Sequence, residues 1–239
     1  MSTAAKIIAA GIVLTAIGLL RKSSAAQTTC KRTIQQNRQV LLFGDSQAQT
    51  ALGAAICRQL EMLEGACQLQ VSTHGGKSSY QGEIRRKLNR QITDHKFTDV
   101  ILIFGVNDTA NGRTWQQTRN SLNELAAIAG QNGARVFIVP PTTWNAYKGR
   151  SATLPGRQQN TVSLQAALFQ DAAANRTLAP YSANGYIVVG SQELPSFVRL
   201  WGRQGLDRQL STDGLHYNTR SGRSVVAEHI ARRMTTACN

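Results

Sequence analysis

Ser46 is the residue from which chemistry can be built. It stands in Gly44-Asp45-Ser46, directly after the short apolar run Gln39–Phe43. A hydroxyl is a weak nucleophile at neutral pH and needs a neighbouring base to take its proton. Far downstream, Asp213-Gly214-Leu215-His216 supplies one. A carboxylate three residues before an imidazole can accept from Nδ1–H, which leaves Nε2 free to take a proton. Attack on a carbonyl also needs donors for the negative charge that develops on oxygen. Asn107, in Gly105-Val106-Asn107-Asp108, carries a carboxamide that can donate there. In Thr73-His74-Gly75-Gly76-Lys77-Ser78-Ser79 the glycines let the backbone approach a ligand closely. Each piece alone has a plainer explanation: a helix cap for Ser46, turns for the glycines and for Asn107-Asp108, a polar loop for Asp213 and His216. Gly76-Lys77-Ser78 also suggests a phosphate loop, but that motif needs a glycine where Val71 stands.

The elements around these residues alternate. Apolar runs predict strands at 39–43, 67–71, 100–104, 136–139 and 186–189, and helical spacing predicts helices over 48–63, 80–93, 115–129, 162–174 and 224–234. The run Val100–Phe104 is apolar throughout, as suits a parallel strand buried on both faces. Strand–helix alternation predicts βαβ units and a parallel sheet covered by helices on both sides. In such sheets the site forms at the carboxyl ends of the strands, which is where Ser46, Gly76 and Asn107 fall.

In this order the motifs resemble the SGNH (GDSL) hydrolases. Gly44-Asp45-Ser46 resembles the first block, with Gln47 where Leu is common, and Gly76 with Ser78-Ser79 looks like a loose second block. Gly105-Val106-Asn107-Asp108 and Asp213-Gly214-Leu215-His216 match the third and last. The resemblance spans about 38–233. It implies a three-layer α/β/α sandwich with a parallel flavodoxin-like sheet and no metal or organic cofactor. It also implies Ser46 as nucleophile, His216 as base and Asp213 as its orienter, with Ser46 N–H, Gly76 N–H and Asn107 forming the oxyanion hole. Gly75 is the alternative to Gly76 in that role. The expected reaction is hydrolysis of carboxylic esters through an acyl-serine, with acetylated envelope glycans or lipid esters as candidate substrates. A non-catalytic envelope or virion-associated glycan-binding protein on the same fold is the competing reading.

The body, 38–239, is preceded by two segments. Residues 1–26 contain a stretch free of charge from Ile7 to Leu20, flanked by Lys6 and by Arg21-Lys22, and Ser24-Ala25-Ala26 follows. This reads as a hydrophobic helix that anchors the chain or serves as its export signal, with 27–37 as a linker. The expected location is therefore extracytoplasmic, membrane-anchored or secreted. The even cysteine count fits an oxidising compartment, and chain proximity suggests Cys57–Cys67 and Cys30–Cys238 as disulfides. A net charge of +14 draws polyanions, but no run of five basic residues occurs, which argues against a dedicated nucleic-acid arm. The aromatics Trp144, Tyr147, Phe197 and Trp201 fall in stretches that read as irregular, 142–160 and 191–210, where they would shape substrate choice or fill the core.

Overall fold

The chain builds β1 (Gln39–Gly44), α1 (Thr50–Glu64), β2 (Gln68–Thr73), α2 (Gly82–Asp94), β3 (Asp99–Ile103), α3 (Val106–Ala110), α4 (Trp115–Gln131), β4 (Arg135–Ile138), α5 (Pro155–Ala174), β5 (Ile187–Val188) and α6 (Arg220–Thr236). These come from a computed structural model that describes residues 38–142, 155–174, 185–190, 200–201, 209–213 and 215–236. The N-terminal segment 1–26, the linker 27–37, Cys30 and Cys238 lie outside the described residues.

All strand pairs are parallel, in the order β2-β1-β3-β4-β5. This is the flavodoxin-like order, in which the chain leaves β1 for one neighbour and returns for the other. Strand composition follows from burial. β3 and β4 are buried at every position, and β1 at every position after Gln39. On one face Val40, Leu42, Ile101, Ile103 and Phe137 pack under α1 and α6; on the other Leu41, Phe43, Val100, Leu102 and Ile138 pack under α2, α4 and α5. β2 is an edge strand, which explains why it carries Gln68, Gln70 and Thr73.

α1 presents Leu52, Ala55, Ile56 and Leu60 to the sheet and to α6, all essentially buried. Removing either large side chain at 52 or 56 should cost about 2–5 kcal/mol. The helix ends at Gly65, and Cys57 and Cys67 form a disulfide that ties it to the start of β2. With a sequence separation of 10, the loop-entropy picture assigns that link about 2–3 kcal/mol.

The structure moves some expected boundaries. α1 starts at Thr50, with Gln49 as its N-cap, so 45–49 is a separate turn and not the helix start. α3 replaces the turn read at Asn107-Asp108; five residues are too few to show helical spacing. α5 starts at Pro155, inside a stretch read as irregular; proline's fixed φ suits the first helical position. Trp201 belongs to the core: it is 4% exposed, donates from Nε1 to the Pro140 carbonyl at 3.0 Å and meets His229 edge-on. His229, on α6, is buried with it. Trp144, Tyr147 and Phe197 lie outside the described residues.

Candidate active site

Three loops meet where β1 ends between its two neighbours. The ladder runs one residue past the strands: His74 N–H donates to the Gly44 carbonyl at 2.8 Å, and Asp45 N–H to the Ile103 carbonyl at 2.9 Å. Gly44 makes this convergence possible, because a Cβ there would lie 2.4 Å from the Ile103 oxygen and 2.8 Å from Ala48 Cβ. The next residue but one is Ser46, in a turn of its own and half-buried.

Ser46 Oγ lies 2.8 Å from His216 Nε2, and His216 Nδ1 lies 2.8 Å from Asp213 Oδ2. With the carboxylate accepting from Nδ1–H, Nε2 is the acceptor for the Ser46 hydroxyl. The other Asp213 oxygen, Oδ1, accepts from the Leu215 and His216 N–H groups and from the Ser211 hydroxyl, each at 2.9 Å. Burial pushes this carboxyl up, but the His216 N–H and ring, the Leu215 N–H and the Ser211 hydroxyl outweigh it and bring it down to about 2. Asp213 is thus ionised across the neutral range.

On the flanking loops, Gly76 is exposed with φ +70°, a left-handed conformation that favours glycine. A Cβ on Gly75 or Gly76 would meet nothing within 4 Å, so the space in front of this loop is open. Among the described residues, the N–H groups of Ser46 and Gly76 donate to no partner. Asn107 is half-buried on α3 and gives one carboxamide N–H to the Lys77 carbonyl at 3.1 Å. Its second N–H is available to a ligand. The structure therefore brings Ser46, His216 and Asp213 into one hydrogen-bonded chain. It sets Gly76 on the loop after β2 and Asn107 in the first turn of α3, joined to each other through Lys77.

Several residues hold this arrangement in ways their types alone do not announce. Asp108 is fully buried and accepts from the Ser79 N–H at 2.9 Å and the Ser79 hydroxyl at 2.6 Å, locking the β2 loop to α3. Asn111 adds a bond to the Ser78 hydroxyl at 3.1 Å. Burial raises the Asp108 carboxyl, against the pull of Ser79 and Arg113. Asp45 is also fully buried; Oδ1 accepts from the Gln47 N–H at 2.9 Å, while Oδ2 has no partner among the described residues. Burial, resisted by that N–H and helped by the Asp108 charge, raises Asp45 to about 7. Sequence reading gave Asp108 no role of its own and made Asp45 a brace for the site and not a reacting group; the signal in both was a carboxylate inside a glycine-led block. His74 sits on the Phe43 ring with Nε2 3.0 Å from the Ser72 hydroxyl. Burial and nearby lysines lower its basicity. Among the described residues no cluster of side chains suited to a metal occurs.

No protein-family model matches the sequence, and no curated protein is significantly similar to it. Solved structures are similar in fold. A member of the lipolytic G-D-S-L family from Veillonella parvula superposes with a TM-score of 0.61 at 13% identity, covering 84% of this chain and 100% of that one. A lipase/acylhydrolase from Enterococcus faecalis gives 0.58 at 18% identity, covering 83% and 96%. A psychrotrophic esterase from Pseudoalteromonas sp., solved inhibited by monoethylphosphonate, gives 0.53 at 14% identity, covering 83% and 97%. The chain has the fold of these solved structures.

Proposed function

We propose that this chain is a serine esterase of the SGNH type, acting through an acyl-serine. One observation carries the reading: the Ser46 hydroxyl is 2.8 Å from His216 Nε2, on a histidine whose Nδ1 is 2.8 Å from the ionised Asp213. That chain of contacts on this fold is what an activated nucleophile requires.

Ser46 Oγ attacks the ester carbonyl carbon as its proton passes to His216 Nε2. Asp213 holds the ring and stabilises the imidazolium. The oxyanion is met by the Ser46 and Gly76 N–H groups and by the second N–H of Asn107. The intermediate collapses, the C–O bond to the alcohol breaks, and the alcohol leaves with the proton from Nε2. Water then attacks the acyl-serine, giving its proton to Nε2; the bond from the acyl carbon to Ser46 Oγ breaks, Oγ takes that proton from Nε2, and the acid departs. The loop at Gly75 and Gly76 is open to solvent and so within reach of a substrate; lipid esters and O-acetyl groups on envelope glycans are the candidate substrates. The N-terminal apolar segment and the disulfide fit an exported, anchored enzyme.

A fluorophosphonate probe tests the reading. The wild type should label and hydrolyse p-nitrophenyl acetate, and Ser46→Ala should do neither. A folded wild type that stays unlabelled and inert would leave a polyanion-binding protein on this fold. Its affinity for an acidic glycan would then survive Ser46→Ala and fall with salt.

A further inference from the structure

We infer that Gln47 is a positioning residue that sets the distance between Ser46 and His216. The inference rests on the esterase reading of those two residues. Asp213 cannot supply that distance, because it lies in the same turn as His216. Its bonds to the His216 ring, the His216 N–H and the Leu215 N–H orient the imidazole relative to its own loop. Something outside that turn must fix the loop against the nucleophile.

Gln47 follows Ser46 directly in the chain and is 3% exposed. Its side chain spans the backbone on both sides of His216. Nε2 donates to the Leu215 carbonyl at 2.5 Å, and Oε1 accepts from the Tyr217 N–H at 3.4 Å. The carboxamide is thus used at both ends, as donor to the residue before the base and acceptor from the residue after it. Its own N–H donates to Asp45 Oδ1, which pins the turn that carries Ser46. Tyr217 is itself buried in the core, so the clamp closes on a packed residue. A buried carboxamide that replaced these bonds with nothing would be costly, so its geometry is strongly held. Only an amide at this position can both give and accept in this way. A leucine of similar size, as in the G-D-S-L block, can fill the space but can hold neither backbone group. In this chain the register of nucleophile and base is carried by hydrogen bonds where an apolar side chain would rely on packing.

Two variants test this. Gln47→Met keeps length and volume and loses both bonds; Gln47→Glu keeps an acceptor for Tyr217 N–H and loses the donor to Leu215. In Gln47→Met, kcat for p-nitrophenyl acetate should fall by about 10²-fold, the order expected when a catalytic group is misplaced by an ångström. KM should stay within about twofold, because the ground-state contacts are untouched. Gln47→Glu should lose about tenfold at pH 8, as one of two bonds survives. A crystal structure of Gln47→Met gives a readout independent of turnover. The Ser46 Oγ–His216 Nε2 separation should open from 2.8 Å to beyond hydrogen-bond reach, while the His216 Nδ1–Asp213 Oδ2 contact of 2.8 Å stays, because that bond lies within one turn. Wild-type kcat in both variants together with an unchanged Ser46–His216 separation would overturn the inference. If the wild type itself neither labels with fluorophosphonate nor turns over, the esterase reading fails. The separation alone then decides: unchanged in Gln47→Met overturns the clamp, opened in it supports the clamp.

Discussion

At the amino ends of β1, β3 and β4 the sheet closes on a knot of buried charge. Arg38 Nη1 reaches Glu64 at 2.9 Å and its Nε reaches Asp99 Oδ2 at 3.4 Å, while Arg135 reaches Asp99 Oδ1 with Nε at 2.7 Å and Nη2 at 2.5 Å. At the carboxyl ends of β1, β2 and β3 the polar groups are as numerous but are not all used up. Asp213 is saturated, yet the Ser46 and Gly76 N–H groups, one Asn107 N–H and a carboxylate oxygen of Asp45 have no protein partner among the described residues. Buried charge at the first end is matched acid to base and fixes the strands. At the second, N–H donors are left without a protein partner among the described residues, as the proposed oxyanion hole requires. A donor already satisfied by protein cannot respond to charge that appears only in a transition state. On the proposed reading, the difference between the two ends separates groups that stabilise the fold from groups that act on a substrate.

Substitutions at each end sharpen that contrast. The largest effect should come from Asp213→Asn, which keeps shape but reverses the hydrogen-bond sense at His216 Nδ1; kcat should drop by about 10⁴-fold. A loss under tenfold in steady-state hydrolysis would break the assignment of this end to catalysis. Asp99→Ala should act the other way, costing about 3–5 kcal/mol in urea unfolding because buried guanidinium groups lose their carboxylate. Turnover per folded molecule should be unchanged, and a fall in kcat would show that the two ends are coupled. Asn107→Ala should cost about 10²–10³ in kcat but only about 1 kcal/mol in stability, through the lost bond to Lys77. A stability loss as large as that of Asp99→Ala would make Asn107 a structural residue instead.

Much of this was legible in the sequence because the central strands must be apolar throughout. Val100–Phe104 and Val136–Val139 carry a signal that a two-sided core imposes. The site motifs follow those strands directly, so their place at the carboxyl ends came with the strand assignment. What did not show were features set by partners distant in sequence. The donor and acceptor that Gln47 gives to the His216 loop, the lock between Asp108 and Ser79, and the burial of Trp201 against His229 depend on which helix folds over which loop. A short element hid for another reason. α3 has five residues, little more than one helical turn and too few to repeat an apolar spacing. Gln47 did stand out as a departure from the leucine common in such blocks, and that departure proved to mark a contact.

The carboxyl end should also leave a signature in the pH dependence of stability, carried by Asp45. Its folded-state carboxyl titrates at about 7, against the 3.8 of an unperturbed aspartate. Between those values the folded protein keeps a proton that the unfolded chain has released. Stability from this group is fully present below pH 3.8 and is lost as pH rises to about 7, with a slope of at most about 1.4 kcal/mol per pH unit. Asp213 has the opposite sign but acts lower: depressed to about 2, its contribution is complete above pH 3.8 and is lost only as the solution becomes strongly acidic. His229, held down to about 4 by burial, opposes Asp45 over part of the same range, since it gains stability as the unfolded imidazole deprotonates. The readout is therefore the difference between two proteins and not one curve. Asp45→Asn keeps an oxygen for the Gln47 N–H and cannot ionise, so its urea-unfolding free energy should gain on the wild type steadily from pH 4 to pH 7. Parallel curves across that interval would mean that Asp45 is ionised in the folded protein, with a counter-charge or solvent reaching Oδ2, and that this end of the sheet is as fully paired as the other.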